Sequence, residues 1–276
     1  MDYKRVLTIQ DISCVGQCSL TVALPILSAC GAETAILPSA VLSTHTAGFS
    51  GYTFRDLTDD IPAIAAHWKK EGITFDAIYT GYLGSAKQIE YVKELIESPQ
   101  SEGFKSFVDP AMADNGKLYP GFDLAFVEEM KKLVYCADII LPNITEAAYL
   151  CDMPYRETYD RAYIDALLDA LRANSAKTVI LTGVSFSQET TGVMVYEGST
   201  KSYYEHRKNP KGSHGTGDVY ASAFVGAYLR GKSAFDSAAI AADYTLLCIE
   251  NTVGDPDHWY GVKFEPVLPE LIKRLG

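Results

Sequence analysis

The chain has 276 residues, 47% of them hydrophobic and 21% charged, with a formal net charge of −11. That is an ordinary globular composition, long enough for one large domain or two small ones and for a core that removes roughly three-quarters of the unfolded surface from water. The acidic balance argues against a nucleic-acid binder, which would show a basic face, so any anionic ligand must be held by local donors.

Lys4 and Arg5 precede only four residues before Gln10 and Asp11, too short a run for a signal-peptide core. A first strand is expected over 6–10 and a helix over 18–30, followed by a strand over 34–37. Pro25, Glu33 and Pro38 interrupt the apolar stretch 21–42, which therefore does not read as a membrane span. Helices over 61–71, 86–98, 124–135 and 162–173 then alternate with strands over 77–82, 105–109, 139–142 and 178–182. Strands over 193–196 and 202–205 flank a turn at Glu197-Gly198-Ser199, and helices over 218–230, 234–250 and 266–274 complete the chain. Alternating strands and helices predict an α/β fold with a doubly wound, mostly parallel sheet, and the closely spaced late strands an antiparallel edge. No linker, repeat or composition break divides the chain, so residues 1–276 are expected to form one domain. The six cysteines are scattered without metal-ligand spacing, consistent with reduced thiols and a cytoplasmic location.

Polar and glycine residues recur just after the expected strands: Asp11, Gly81-Tyr82, Asp109-Pro110, Asn143 and Thr182-Gly183. In an open α/β sheet, ligands bind outside the carboxyl ends of the strands, so these residues are expected to line one crevice. The stretch Ser213-His214-Gly215-Thr216-Gly217-Asp218 leads into an apolar-periodic run. Its glycines let amides crowd around an anion at a helix start. An acid beside such a cradle has two readings: a base that takes the proton of an attacking alcohol, or a cap for the helix. Residue type alone leaves both open.

Several segments resemble the pyridoxal kinase branch of the ribokinase superfamily, in that family's order. Leu7-Thr8-Ile9-Gln10-Asp11 is similar to its first strand, and Ser43-Thr44-His45-Thr46 to its substrate-loop signature. Thr80-Gly81-Tyr82-Leu83-Gly84-Ser85 resembles "GYLGS", and the stretch from Asp109-Pro110-Ala111-Met112 to Tyr119 resembles "DPVMGDNGKLY". Pro142-Asn143-Ile144-Thr145-Glu146 resembles "PNxxE", and Gly215-Thr216-Gly217-Asp218 completes the set. The resemblance implies a three-layer α/β/α kinase that phosphorylates the 5′-hydroxyl of pyridoxal, pyridoxine or pyridoxamine with Mg2+ and ATP, and it leaves room for a monovalent cation and a homodimer. It casts Asp218 as the base and the Gly215, Thr216 and Gly217 amides as the cradle for the transferring phosphoryl group. Asp11, His45, Thr46 and Tyr82 fall on the vitamer side, Tyr82 stacking on the ring and His45 and Thr46 bonding its substituents. Asp109, Asp114 and Glu146 are hard oxygen ligands for Mg2+, directly or through water, and with Asn143, Thr182 and Lys208 of the basic loop His206–Lys211 they fall on the nucleotide side.

The chain departs from the pattern at Asp11, where many relatives have a small hydroxyl residue, and at Ala113, where they have glycine. A carboxylate at position 11 is expected to favour a cationic vitamer. Hydroxymethylpyrimidine kinases of thiamine synthesis share the fold and a "HGTG" segment, though they commonly carry Cys where this chain has Asp218. A non-catalytic binding protein on the same fold is disfavoured by the intact acids and cradle.

Overall fold

The computed structural model describes residues 3–174, 177–209 and 214–276. Its strands are β1 (Arg5–Val15), β2 (Glu33–Thr44), β3 (Phe54–Asp56), β4 (Ala77–Thr80), β5 (Lys105–Val108), β6 (Ala113–Asp114), β7 (Lys117–Leu118), β8 (Ile139–Ile140), β9 (Thr178–Val184), β10 (Thr190–Glu197) and β11 (Thr200–Arg207). Its helices are α1 (Leu20–Ala29), α2 (Ile61–Lys70), α3 (Ala86–Glu97), α4 (Leu124–Val134), α5 (Ile144–Leu150), α6 (Arg161–Ala173), α7 (Thr216–Leu229), α8 (Ala234–Thr252) and α9 (Leu268–Leu275). Nine strands form one sheet in the order β11-β10-β9-β8-β5-β4-β1-β2-β3, while β6 and β7 form a separate hairpin. The six strands from β9 to β2 run parallel.

Side-chain alternation along these buried strands builds a core on each face of the sheet. Leu7, Ile9, Ile78, Val108, Ile140 and Leu181 pack with Ile61, Ile89, Val127, Ala147 and Leu167 of α2 to α6. Their neighbours Val6, Tyr79, Phe107, Ile139 and Ile180 pack with Ile26, Phe224, Ala241 and Leu271 of α1, α7, α8 and α9. The result is the ribokinase-like three-layer α/β/α arrangement, with antiparallel strands at its edge.

Antiparallel pairing occurs at both edges: β10 and β11 pair around Gly198 (φ 59) as expected, and β3 pairs with β2 at the opposite edge. That second edge, the β6–β7 hairpin and the short α5 were not expected from the sequence. Among the described residues, no helix is long and apolar enough to cross a membrane.

Candidate active site

The ladder between β1 and β2 slips between Gln10 and Ile12, a bulge of the kind that re-aims a side chain. The residue between them is Asp11, buried, whose carboxylate accepts a hydrogen bond from Ser13 Oγ at 2.9 Å. Burial raises its carboxyl above the usual range, opposed by hydrogen bonds from Ser19 and Ser13. The sequence places Asp11 just after the first strand, but β1 continues to Val15, so Asp11 lies inside the strand; the residue before α1 is Ser19, at φ 55. After β4, a Cβ on Gly81 would come within 2.6 Å of Gln10 Oε1, so glycine lets the chain pass close to the Gln10 side chain. Tyr82 follows, half-buried and stacked on Phe122 with centroids 5.6 Å apart; burial, then the charge of Asp11, raises its phenol.

His45 follows β2. Its Nδ1 accepts from the Ala47 amide at 3.2 Å, which leaves the proton on Nε2, 2.7 Å from the Tyr260 carbonyl. Both ring nitrogens are therefore engaged within the chain, which gives His45 a bracing role between its own loop and residue 260. Thr46 beside it is exposed.

Gly215 is the N-cap of α7 at φ 74, where a Cβ would strike the Gln17 carbonyl oxygen. Among the described residues, a Cβ on Gly217 would meet nothing within 4 Å. The N-terminal end of α7, with the positive end of its helix dipole, makes this turn suited to an anion. Ser213 and residues 210–212, including Lys211 of the basic loop, lie outside the described residues. Asp218 stands in the first turn of α7 and accepts a hydrogen bond from the Ser19 amide. Burial, then the charges of Asp109 and Asp11, push its carboxyl up to about 7.

Asp109 follows β5 and accepts from the Ala111 amide at 3.1 Å; burial and the charge of Glu146 raise it well above the usual range. Glu146 directs its carboxylate at backbone, Oε1 accepting from the Met112 amide at 3.1 Å and Oε2 from the Asn143 amide at 2.9 Å. Asn143 Oδ1 accepts from the Glu146 amide at 2.9 Å, and its Nδ2 donates to the Ala113 carbonyl at 2.8 Å. This capping box starts α5 and ties it to the β6–β7 hairpin. Asp114 on the hairpin is exposed and accepts from the Asn115 amide at 2.8 Å. Among the described residues, no group of three His, Cys, Asp or Glu side chains could hold a metal ion together. The structure therefore does not gather Asp109, Asp114 and Glu146 into one ligand set, because Glu146 is occupied as a brace.

Asp114, Asn143, Thr182 and Lys208 line one cavity of about 500 Å3 with Tyr155, Tyr159 and Phe186. Sequence reasoning missed these three aromatic residues, which stand in irregular segments without periodicity. The charges of Asp109 and Asp11 both act on Asp218, that of Asp11 acts on Tyr82, and that of Glu146 acts on Asp109.

Residues 28–261 match the phosphomethylpyrimidine kinase family. The chain belongs to that family. As a member of this phosphomethylpyrimidine kinase family, within the ribokinase-like superfamily, it is a phosphotransferase with ATP as co-substrate. It is 28% identical over 227 residues to the hydroxymethylpyrimidine/phosphomethylpyrimidine kinase of Bacillus subtilis (strain 168), spanning 81% of this chain and 79% of the relative. A crystal structure of pyridoxal kinase from Lactobacillus plantarum superposes with a TM-score of 0.91 at 32% identity, covering 99% of this chain and 98% of that one. A Bacteroides thetaiotaomicron protein named for phosphomethylpyrimidine kinase, crystallised with pyridoxal, gives 0.92 at 37% identity, covering 98% and 96%.

Proposed function

We propose that residues 1–276 act as one kinase unit that transfers the γ-phosphoryl group of ATP to the 5′-hydroxyl of vitamin B6, whether pyridoxal, pyridoxine or pyridoxamine. The observation that carries this reading is Asp218, in the first turn of α7, whose carboxyl is raised to about 7 by burial and by the charges of Asp109 and Asp11. An alcohol is a poor nucleophile until its proton leaves, and a base works best with a pKa near the working pH. Asp218 takes the hydroxyl proton as the oxygen bonds to the γ-phosphorus and the bond from that phosphorus to the β–γ bridging oxygen breaks, releasing ADP. The Gly215, Thr216 and Gly217 amides stabilise charge on the transferring group. Asn143, Thr182 and Lys208 face the nucleotide from the cavity they share.

The acids fit Mg2+ held mainly through water, since this ion keeps much of its hydration shell: Asp109 and Asp114 are hard oxygen donors, while Glu146 is occupied by backbone amides. When bound with ATP, Mg2+ supplies neutralisation of phosphate charge. Phosphorylation of hydroxymethylpyrimidine is the second reading, favoured by the matching family and the Bacillus subtilis relative. ATP consumption against pyridoxal, pyridoxine, pyridoxamine, hydroxymethylpyrimidine and ribose separates them. The B6 vitamers should give the highest kcat/KM; dominance of hydroxymethylpyrimidine selects the second reading, and turnover of ribose alone contradicts both.

A further inference from the structure

The loops on the acceptor side have little regular structure of their own, yet they are braced from outside by the C-terminal segment. The Tyr260 carbonyl accepts from His45 Nε2 at 2.7 Å, and Gln17 Nε2 donates to Glu265 Oε1 at 2.7 Å. A Cβ on Gly261 would run into the Gln17 side chain, and one on Gly48 would lie 2.7 Å from the Trp259 ring. Trp259 also packs on Phe49 with centroids 4.6 Å apart, and Phe49 meets the His45 ring edge-on at 5.0 Å. On its other side, the His45 ring fills the space beside Gly16. Residues 259–265 thus bear on two loops at once, 16–18 after β1 and 45–49 after β2. The first of these also touches the cradle, where the Gln17 carbonyl closes against Gly215.

We propose that residues 259–265 form a positioning strap that holds these two loops at the acceptor end, with Trp259 and His45 as its clasps, and so fixes where the alcohol sits relative to Asp218. The assignment of this end to the acceptor rests on the function proposed above. Trp259 is 49% exposed, so its side chain adds little to the core, and its removal tests position more than folding.

The test is steady-state kinetics of Trp259→Ala and His45→Ala with acceptor and ATP varied in turn. The acceptor KM should rise roughly ten-fold while the ATP KM stays within about two-fold, since a small misplacement at one end of a site acts on the group bound there. Trp259→Phe should restore most of the loss, and the melting temperature of Trp259→Ala should stay close to that of the unmodified chain. An unchanged acceptor KM in Trp259→Ala, or equal changes in both KM values, would overturn the strap. Should His45→Ala fail to fold, Trp259→Ala decides alone. The acceptor used is whichever of pyridoxal and hydroxymethylpyrimidine the unmodified chain turns over, so a failed vitamin B6 reading is seen separately from a failed strap.

Discussion

Asp11 and Asp218 are both carboxyls raised by burial, and an ionised carboxylate in such a place is best satisfied by a bound cation or hydrogen-bond donor. For Asp11, a cationic partner is the aminomethyl group of pyridoxamine or a protonated pyridine nitrogen. Asp11→Ser should therefore lower kcat/KM for pyridoxamine more than for pyridoxal, by roughly 1–2 kcal/mol if one charge-assisted hydrogen bond is lost. Both vitamers are compared at fixed ATP and pH, and an equal change for the two contradicts the assignment. The buried Glu146 is different, since its partners are backbone amides and its work is to hold the hairpin and α5 together. Glu146→Ala should cost roughly 1–3 kcal/mol in urea unfolding, because buried amides lose their acceptor; an unchanged midpoint argues against the brace.

At the scale of elements, the first turn of α7 matters most. Gly217 has no left-handed φ and, among the described residues, nothing within 4 Å of where a Cβ would stand, so Gly217→Val should fold while its side chain blocks the approach of phosphate to the amides. The melting temperature should change little and kcat/KM for ATP should fall strongly; unchanged kinetics for both substrates would show that phosphoryl transfer occurs elsewhere. Long periodic elements were legible in the sequence because each buries a face whose spacing repeats. The seven-residue α5 is too short to show a period, although Asn143 and Glu146 three residues later form a readable capping box. Asn115-Gly116 was likewise a readable hairpin signal, and both residues take positive φ, 50° and 75°. β3 has three exposed residues and no apolar pattern to betray it. The engagement of His45 had no local signal, since its carbonyl partner lies 215 residues away.

Over the whole molecule, the site gathers acids in a chain that already carries a net charge of −11. Asp109, Glu146 and Asp218 all have folded-state pKa values above those of an unfolded chain. The stability linked to such groups is fully present below the ordinary carboxyl pKa, near 4, and is lost as pH rises through the folded values. The melting temperature should accordingly fall between about pH 5 and pH 8.5, and less steeply in Asp218→Asn, whose side chain cannot ionise. Equal slopes in the two proteins would argue against a raised Asp218 carboxyl. Asp218 stands in the first turn of α7, and the proposed phosphoryl transfer depends on its acting as a base. The most direct test is turnover of pyridoxal and ATP by Asp218→Asn beside the unmodified chain, with folding checked by circular dichroism. The variant should keep the same fold and show a kcat lower by roughly 10²–10⁴-fold, the usual loss for a positioned general base; near-normal formation of pyridoxal 5′-phosphate by the variant would contradict the role of Asp218 as base.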